Sequence, residues 1–184
     1  MIIYLADIKK DNDGVNTISF VANAANKTQF TNPCKSGLCS LSENNEVVGL
    51  VLRPNQKILR MTDEGEPYVM YFNESSVKRS AESFSKNLAL KSSNIEHDAD
   101  QKTSGVTFTE TWIVEDPNND KANTYGFKAK KGEWYVKAKV EDKAVLEALK
   151  SGEVTGLSLE GFFSLKPIAQ VLEQTEEIFN VINF

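Results

Sequence analysis

Short runs of β-branched and aromatic residues, separated by clusters of turn-forming residues, recur through most of this 184-residue chain. The clearest run is 105–116 (GVTFTETWIVED), in which apolar and polar side chains alternate. Alternation is typical of a half-buried strand, because successive side chains point to opposite faces of a sheet. The same criteria predict further strands at 15–22, 46–53, 57–61, 67–72, 132–140 and 154–163.

Three segments have the period of an amphipathic helix instead. The first follows Asn73, a residue suited to capping a helix, with apolar side chains at Val77, Ala81, Phe84 and Leu88. The second follows Asp142 and ends at Gly152, and the third begins at Pro167.

About seven strands and three helices in mixed order do not make the strict alternation of a parallel α/β fold. We therefore predict an α+β fold, a mostly antiparallel β-barrel with flanking helices. One domain should cover residues 1–166, with a mobile loop at 27–45 that is rich in Asn, Ser, Thr and Lys. Residues 167–184 should form a C-terminal helix.

Charge and composition exclude several classes of function. The net charge is −5 and the pI is about 5.1, so the whole chain lacks the basic footprint of a nucleic-acid-binding protein. The lysine-rich segment 128–139 is interpreted as a solvated hairpin rim. No apolar run approaches the roughly 18 residues of a membrane span, and the apolar start is too short for a signal peptide. We expect neither nucleic-acid nor membrane partners and a cytoplasmic location.

The two cysteines, Cys34 and Cys39, have no second cysteine pair with which to complete a zinc site. They are predicted to be free thiols in a loop. No metal and no cofactor are expected.

His97 is the single histidine of the chain, in the polar segment NIEHDAD. Any mechanism that uses an imidazole base must therefore use His97. An isolated histidine is more often an ordinary surface or core residue, so spacing alone leaves both interpretations open. A serine hydroxyl needs such a base to become a good nucleophile, and the base needs a partner that orients it.

Ser158 is the serine best suited to that role. It lies inside an apolar strand, between Leu157 and Leu159, so its hydroxyl has a fixed direction. Because side chains alternate along a strand, Glu160 should emerge on the same face. The two residues could equally form a structural hydrogen-bonded pair.

Four segments in this order resemble the XkdF-like phage serine proteases, relatives of prohead proteases and, more distantly, of herpesvirus assemblins. They are IEHD (95–98), VTFTETWIVEDP (106–117), GEWYVKAKV (132–140) and SGEVTGLSLEGFF (151–163). The upstream VLRPNQKILR and GEPYVMYFNESSV are similar to the first half of the family, so the resemblance covers about residues 15 to 163.

The resemblance implies an assemblin-like barrel and a serine endopeptidase, with 1–166 as the protease domain. Its substrates would be scaffolding and major capsid proteins, cleaved inside the assembling procapsid in the host cytoplasm, with self-cleavage as well. A homo-oligomer is left open. The alternative is a non-catalytic virion or interaction protein that retains the protease fold.

Carried over to this chain, the resemblance makes Ser158 the nucleophile and His97 its base. Backbone N–H groups near Gly161 would form the oxyanion hole. In lambdoid prohead proteases, the acid lies in an E-x-S-L-V strand after the serine, followed by P-A-N. Here the similar ISFVANAAN stands at 18–26, and Thr17 occupies the position of the acid.

Because threonine cannot replace a carboxylate, the third catalytic role needs another residue. We assign it to Glu160, from its place on the Ser158 face of the strand. Asp98, next to the base, and Glu110, on an otherwise apolar strand face, are the alternatives.

Overall fold

The computed structural model describes residues 2–22, 44–87, 89–98, 100 and 102–170. Within these residues the chain forms ten strands and two α-helices. The strands are β1 (Ile2–Asp7), β2 (Gly14–Val21), β3 (Glu46–Leu52), β4 (Ile58–Met61), β5 (Pro67–Tyr71), β6 (Ser93–Ile95), β7 (Val106–Ile113), β8 (Trp134–Val140), β9 (Gly156–Phe162) and β10 (Ser164–Gln170). The helices are α1 (Glu74–Lys86) and α2 (Lys143–Ser151), and short 3₁₀ turns cover Ala89–Lys91 and Lys121–Tyr125.

The strands form three sheets, with the orders β10-β1-β5-β4, β6-β2-β9 and β3-β8-β7. In the described part of the chain, five of the seven strand pairs are antiparallel. The α+β class and the mostly antiparallel pairing are thus confirmed. The sheets are open, however, and these residues do not form the predicted closed barrel. One of the gaps between the sheets lies between β9 and β3, which are close at their sheet edges without a ladder joining them.

Both predicted helix caps within the described residues are present. Asn73 Oδ1 accepts a hydrogen bond from the backbone N–H of Ser76 at 2.8 Å. Asp142 Oδ1 accepts from the N–H of Ala144 at 2.9 Å, and Gly152 ends α2 with a φ of 78°. These short polar side chains satisfy N–H groups that have no partner in the first helical turn.

The predicted helix beginning at Pro167 is wrong over residues 167–170. Pro167 lies in β10, which pairs antiparallel with β1 at a register shift and forms an edge of its sheet. An edge strand tolerates proline because one side of its backbone needs no hydrogen-bond partner. Residues 171–184 lie outside the described residues, as do Cys34, Cys39 and all of the predicted 27–45 loop except its last two positions.

The two faces of the β6-β2-β9 sheet differ in polarity. Ile18, Phe20 and Leu157 on one face join the hydrophobic core, where Phe84 of α1 packs against Trp134 of β8. The opposite face carries serine, threonine, asparagine and glutamate side chains. Core packing on one side therefore fixes the positions of polar groups on the other.

No helix among the residues the structure describes is long and apolar enough to cross a bilayer.

Candidate active site

The pairing of β2 with β9 places Ser19 directly opposite Ser158. Side chains of directly opposed residues in an antiparallel pair project from the same face. Glu160 stands opposite Thr17 on that face, and Asn94 of β6 pairs with Ser19 from the other side of β2. The polar face thus gathers residues from three strands that are far apart in sequence.

His97 reaches this face from a tight turn that follows β6. The N–H of Asp98 donates to the carbonyl of Ile95 at 3.0 Å, and the two residues between them, Glu96 and His97, have φ values of 51° and 61°. Left-handed backbone costs non-glycine residues about 1 kcal/mol each, so neighbouring contacts must hold the turn in place.

Contacts between Glu96 and the end of β2 supply that support. The N–H of Glu96 donates to the carbonyl of Phe20 at 3.0 Å. Its side-chain Oε1 accepts a hydrogen bond from the N–H of Ala22. The turn is therefore anchored to the strand that carries Ser19, and His97 lies within this turn.

The His97 ring contacts the polar face through Nδ1. This atom lies 2.9 Å from Glu160 Oε1 and 3.0 Å from Ser19 Oγ. Ser19 Oγ donates to the same Glu160 oxygen at 2.6 Å, and Asn94 Nδ2 donates to it at 2.8 Å. Ser19 and Asn94 are buried, whereas the His97 side chain is 43% exposed. One carboxylate oxygen thus contacts three side chains, those of Ser19, Asn94 and His97.

These contacts set the charge of Glu160. Partial burial acts to raise its pKa, but the hydrogen bonds from Ser19, Asn94 and His97 outweigh burial and lower the pKa below its ordinary value. The carboxylate is therefore ionised at neutral pH and can only accept hydrogen bonds.

The same network assigns the proton of the neutral imidazole. Ser19 has one hydroxyl proton, and the short contact commits it to Glu160. Its oxygen can then only accept from His97, and an ionised carboxylate beside Nδ1 also requires a donor there. Nδ1 therefore carries the proton, and the lone pair of the ring lies on Nε2.

Ser158 lies close to this network but is not hydrogen-bonded to the ring. Both residues are described, and no bond between Ser158 Oγ and His97 occurs; the serine that contacts the ring is Ser19. Ser158 instead lines a cavity of about 390 Å³ together with Glu160. It is 8% exposed, whereas Ser19 is completely buried.

The two alternative carboxylates occupy other environments. Asp98 turns Oδ1 toward the backbone N–H of Asp100 at 2.9 Å. Glu110 belongs to β7 in a different sheet and forms ion pairs with Lys121 and Lys137, which lower its pKa. Of the three candidates, Glu160 is the one that the structure brings against His97.

Gly161 is needed for the close packing of two strands, independently of any role beside Ser158. A Cβ atom at this position would lie 2.0 Å from the carbonyl oxygen of Gly14 on β2. The register of β2 and β9 shifts close by, between Val15 and Thr17. The close approach of the two strands thus requires glycine here, whether or not a substrate comes near. An oxyanion hole near Gly161 stays a prediction.

Sequence reasoning missed Ser19 and Asn94. The signal for Ser19 was available, since Thr17 and Ser19 are polar residues two positions apart in the predicted strand 15–22 and must share a face. Asn94 lies in a strand of three residues, at the start of the polar segment NIEHDAD. So short a strand has no periodicity to detect.

No cluster of three or more His, Cys, Asp or Glu side chains suited to a metal ion occurs among the residues described.

Comparison with known proteins gives one family. Residues 40–166, more than half of the chain, match the family model described as putative phage serine protease XkdF. The chain belongs to this family of phage serine proteases. His97, Ser158 and Glu160 lie within the matched residues, and Ser19 lies before them. Neither the curated proteins nor the solved structures contain a match to the chain.

Proposed function

We propose that this protein is a serine endopeptidase in which Ser158 is the nucleophile, His97 the general base and Glu160 the residue that orients the base. The contact between Glu160 Oε1 and His97 Nδ1, 2.9 Å long, carries the proposal. In serine hydrolases of this type, a carboxylate on one ring nitrogen fixes the tautomer, and the other nitrogen takes the serine proton.

The reaction would begin with Nε2 of His97 removing the proton of Ser158 as its oxygen attacks the scissile carbonyl. The tetrahedral oxyanion would be bound by backbone N–H groups near Gly161. His97 then returns the proton to the departing amine, and water hydrolyses the acyl-enzyme by the same steps. The Ser158–His97 hydrogen bond must form when substrate binds, as catalytic hydrogen bonds often tighten only in the substrate complex.

The choice of Ser158 over Ser19 rests on access. Ser19 is completely buried and donates its proton to Glu160, so it has no route to a substrate. Ser158 is 8% exposed and lines a cavity of about 390 Å³, which is within the range of pockets that enclose small ligands. Ser19 is instead placed to support the base.

For the biological role, we propose cleavage of scaffolding and other internal capsid proteins during procapsid maturation in the host cytoplasm, with self-cleavage. Membership of a phage serine protease family supports this role. An assemblin-like relationship belongs to the same proposal, with the gap between β9 and β3 as a departure from a closed barrel.

A non-catalytic role within the virion is the second candidate. The observation that favours it is the absence of a hydrogen bond between the described residues Ser158 and His97. A protein that kept the fold but lost activity would not need that contact.

Labelling with a fluorophosphonate probe decides between the two. Under the endopeptidase proposal, the full chain is labelled, Ser158→Ala is not, and the exposed-serine control Ser104→Ala is labelled like the parent chain. Co-expression of the parent chain with scaffold and capsid proteins should then yield new N-termini, whereas co-expression of Ser158→Ala with them should not. An unlabelled parent chain with no new N-termini would support the non-catalytic role.

A further inference from the structure

The cavity that Ser158 lines has walls and charges that suit one kind of ligand. We infer that it binds an extended peptide segment of the substrate, with an apolar side chain inside the cavity and an acidic side chain at Arg60. This inference rests on the proposed endopeptidase function, because it places the segment beside the proposed nucleophile.

The position of β9 favours an extended ligand. β9 pairs with β2 along one edge, and no ladder occupies its other edge in the part of the chain that the structure describes. β3 approaches that edge without pairing with it. The peptide would therefore pair with the part of the edge that faces the cavity, which Leu157 through Phe163 line. An exposed strand edge offers alternating N–H and C=O groups to a peptide that joins the sheet as a new strand.

The walls of the cavity favour an apolar side chain. Ile58, Tyr68 and Met70 extend from the β10-β1-β5-β4 sheet, and Val51 and Leu52 extend from β3. At about 390 Å³, the cavity is within the range of pockets that enclose small ligands. A bulky side chain of a paired peptide would lose most of its contact with water there, which stabilises the complex.

The charges of the cavity favour an acidic neighbour for that side chain. Glu160 is held by Ser19, Asn94 and His97, and Arg53 forms a 2.6 Å ion pair with the fully buried Glu133. Arg60 is exposed and has no ion pair among the described residues. Its guanidinium is therefore the group available to a ligand carboxylate, to which arginine offers two parallel donors.

A binding experiment with the full chain carrying Ser158→Ala tests this assignment without cleavage. The probes are fluorescein-labelled decapeptides with blocked ends, in which one position beside a leucine is Glu, Gln or Lys. In fluorescence anisotropy, the Glu peptide should bind about threefold to fivefold more tightly than the Gln peptide, the range of a partly exposed ion pair. The Lys peptide should bind most weakly.

The control compares two substitutions, each of which replaces a basic residue with glutamate and so changes the charge by the same amount. Arg60→Glu should reverse the preference, so that the Lys peptide binds more tightly than the Glu peptide. Lys57→Glu, three residues earlier and outside the cavity, should leave the preference unchanged. Equal effects of the two substitutions would show long-range attraction in place of a contact at Arg60 and would overturn the assignment.

Strand addition is tested with peptides N-methylated at one position at a time. If the peptide pairs with β9, affinity should fall about threefold to tenfold at alternate positions, because every second N–H faces the strand. A uniform loss, or none, would contradict the extended pairing. Self-association of the chain that competes with the peptides would assign the cavity to a second copy instead.

The two proposals fail in different ways. Peptide binding with the expected charge preference but no cleavage by the parent chain would reject the endopeptidase and keep the binding site. Cleavage of substrates at a rate that does not depend on Arg60 would keep the endopeptidase and reject the binding site.

Discussion

Oε1 of Glu160 lies 2.9 Å from Nδ1 of His97, which leaves Nε2 of that ring to accept a proton. Glu160 and the proposed nucleophile Ser158 are two residues apart on β9, so one strand positions both partners of the base. The base itself comes from a turn between other elements.

Ser158→Ala should abolish peptide cleavage and leave the fold intact. The substitution removes one oxygen that makes no side-chain hydrogen bond within the described structure, so few contacts are lost. Cleavage assays and urea unfolding, made side by side with Ser104→Ala, measure the two effects. Activity within a few-fold of the parent chain would refute Ser158 as nucleophile.

Glu160→Gln should lower turnover strongly while the protein remains folded. Loss of an orienting carboxylate costs about 10⁴-fold in the worked serine-protease example, and a partly exposed carboxylate should cost somewhat less. Asp98→Asn and Glu110→Gln are the matched controls and should retain activity within a few-fold. If either control loses more activity than Glu160→Gln, the orienting role belongs to that residue.

Ser19→Ala should weaken the hold on His97 without removing the nucleophile. Because the chain has one histidine, ¹⁵N-histidine labelling gives NMR signals from a single imidazole. The parent chain and Ser19→Ala should both show the proton on Nδ1, because the Glu160 carboxylate still accepts it there. Turnover should fall about tenfold, the size of one hydrogen bond to a charged group. Unchanged turnover in the variant would limit Ser19 to a packing role.

Asp13 should make stability depend on acidity. Burial raises its pKa, but hydrogen bonds from the N–H groups of Lys10 and Lys9 and from Ser164 outweigh it, and its pKa falls to about 2. A lowered pKa stabilises the fold above the pKa of the unfolded chain, near 3.9, and this contribution is lost as pH falls toward 2. Asp13→Asn should therefore lower the urea midpoint at pH 7 and reduce its decline between pH 4 and pH 2. Parallel declines in both proteins would contradict this role.

Gly161→Ala should destabilise the protein by about 3 kcal/mol, the upper part of the usual range for overpacking a tight site. The added Cβ would meet the backbone of Gly14, which cannot move without shifting β2. Gly65→Ala is the control, because Gly65 has open space around it and only its φ of 83° is unfavourable. Thermal unfolding of the two variants should show the larger loss at position 161.

Much of the fold could be predicted because its strands have strong periodicity. The strand over 105–116 was recognised from alternation and appears as β7, and Asn73 and Asp142 cap helices as predicted. β6 was not predicted because a strand of three residues is too short to show a period. β10 was not predicted because its apolar spacing also fits a helix. Pairing with β1, which no local pattern encodes, decides the conformation of Pro167.

The candidate site also combines features that local sequence predicts with features that only tertiary contacts determine. Alternation along one strand placed Glu160 on the face of Ser158, and that needed no knowledge of other elements. The contact of Ser19 with His97 joins residues 78 positions apart in sequence, and it depends on the register of β2 and on a left-handed turn. Neither property can be deduced from residue types alone.

The proposed chemistry and the proposed selectivity belong to different parts of the molecule. Ser158, Glu160 and the support for His97 belong to the β6-β2-β9 sheet, whereas Arg60 and much of the cavity wall belong to the β10-β1-β5-β4 sheet. Substitutions at positions such as Ile58 and Arg60 can therefore change which peptides are accepted without disturbing the hydrogen bonds around the imidazole. Under the proposed function, substrate selectivity and the catalytic step could therefore change independently, the first by substitutions in β4 and the second by substitutions in β9.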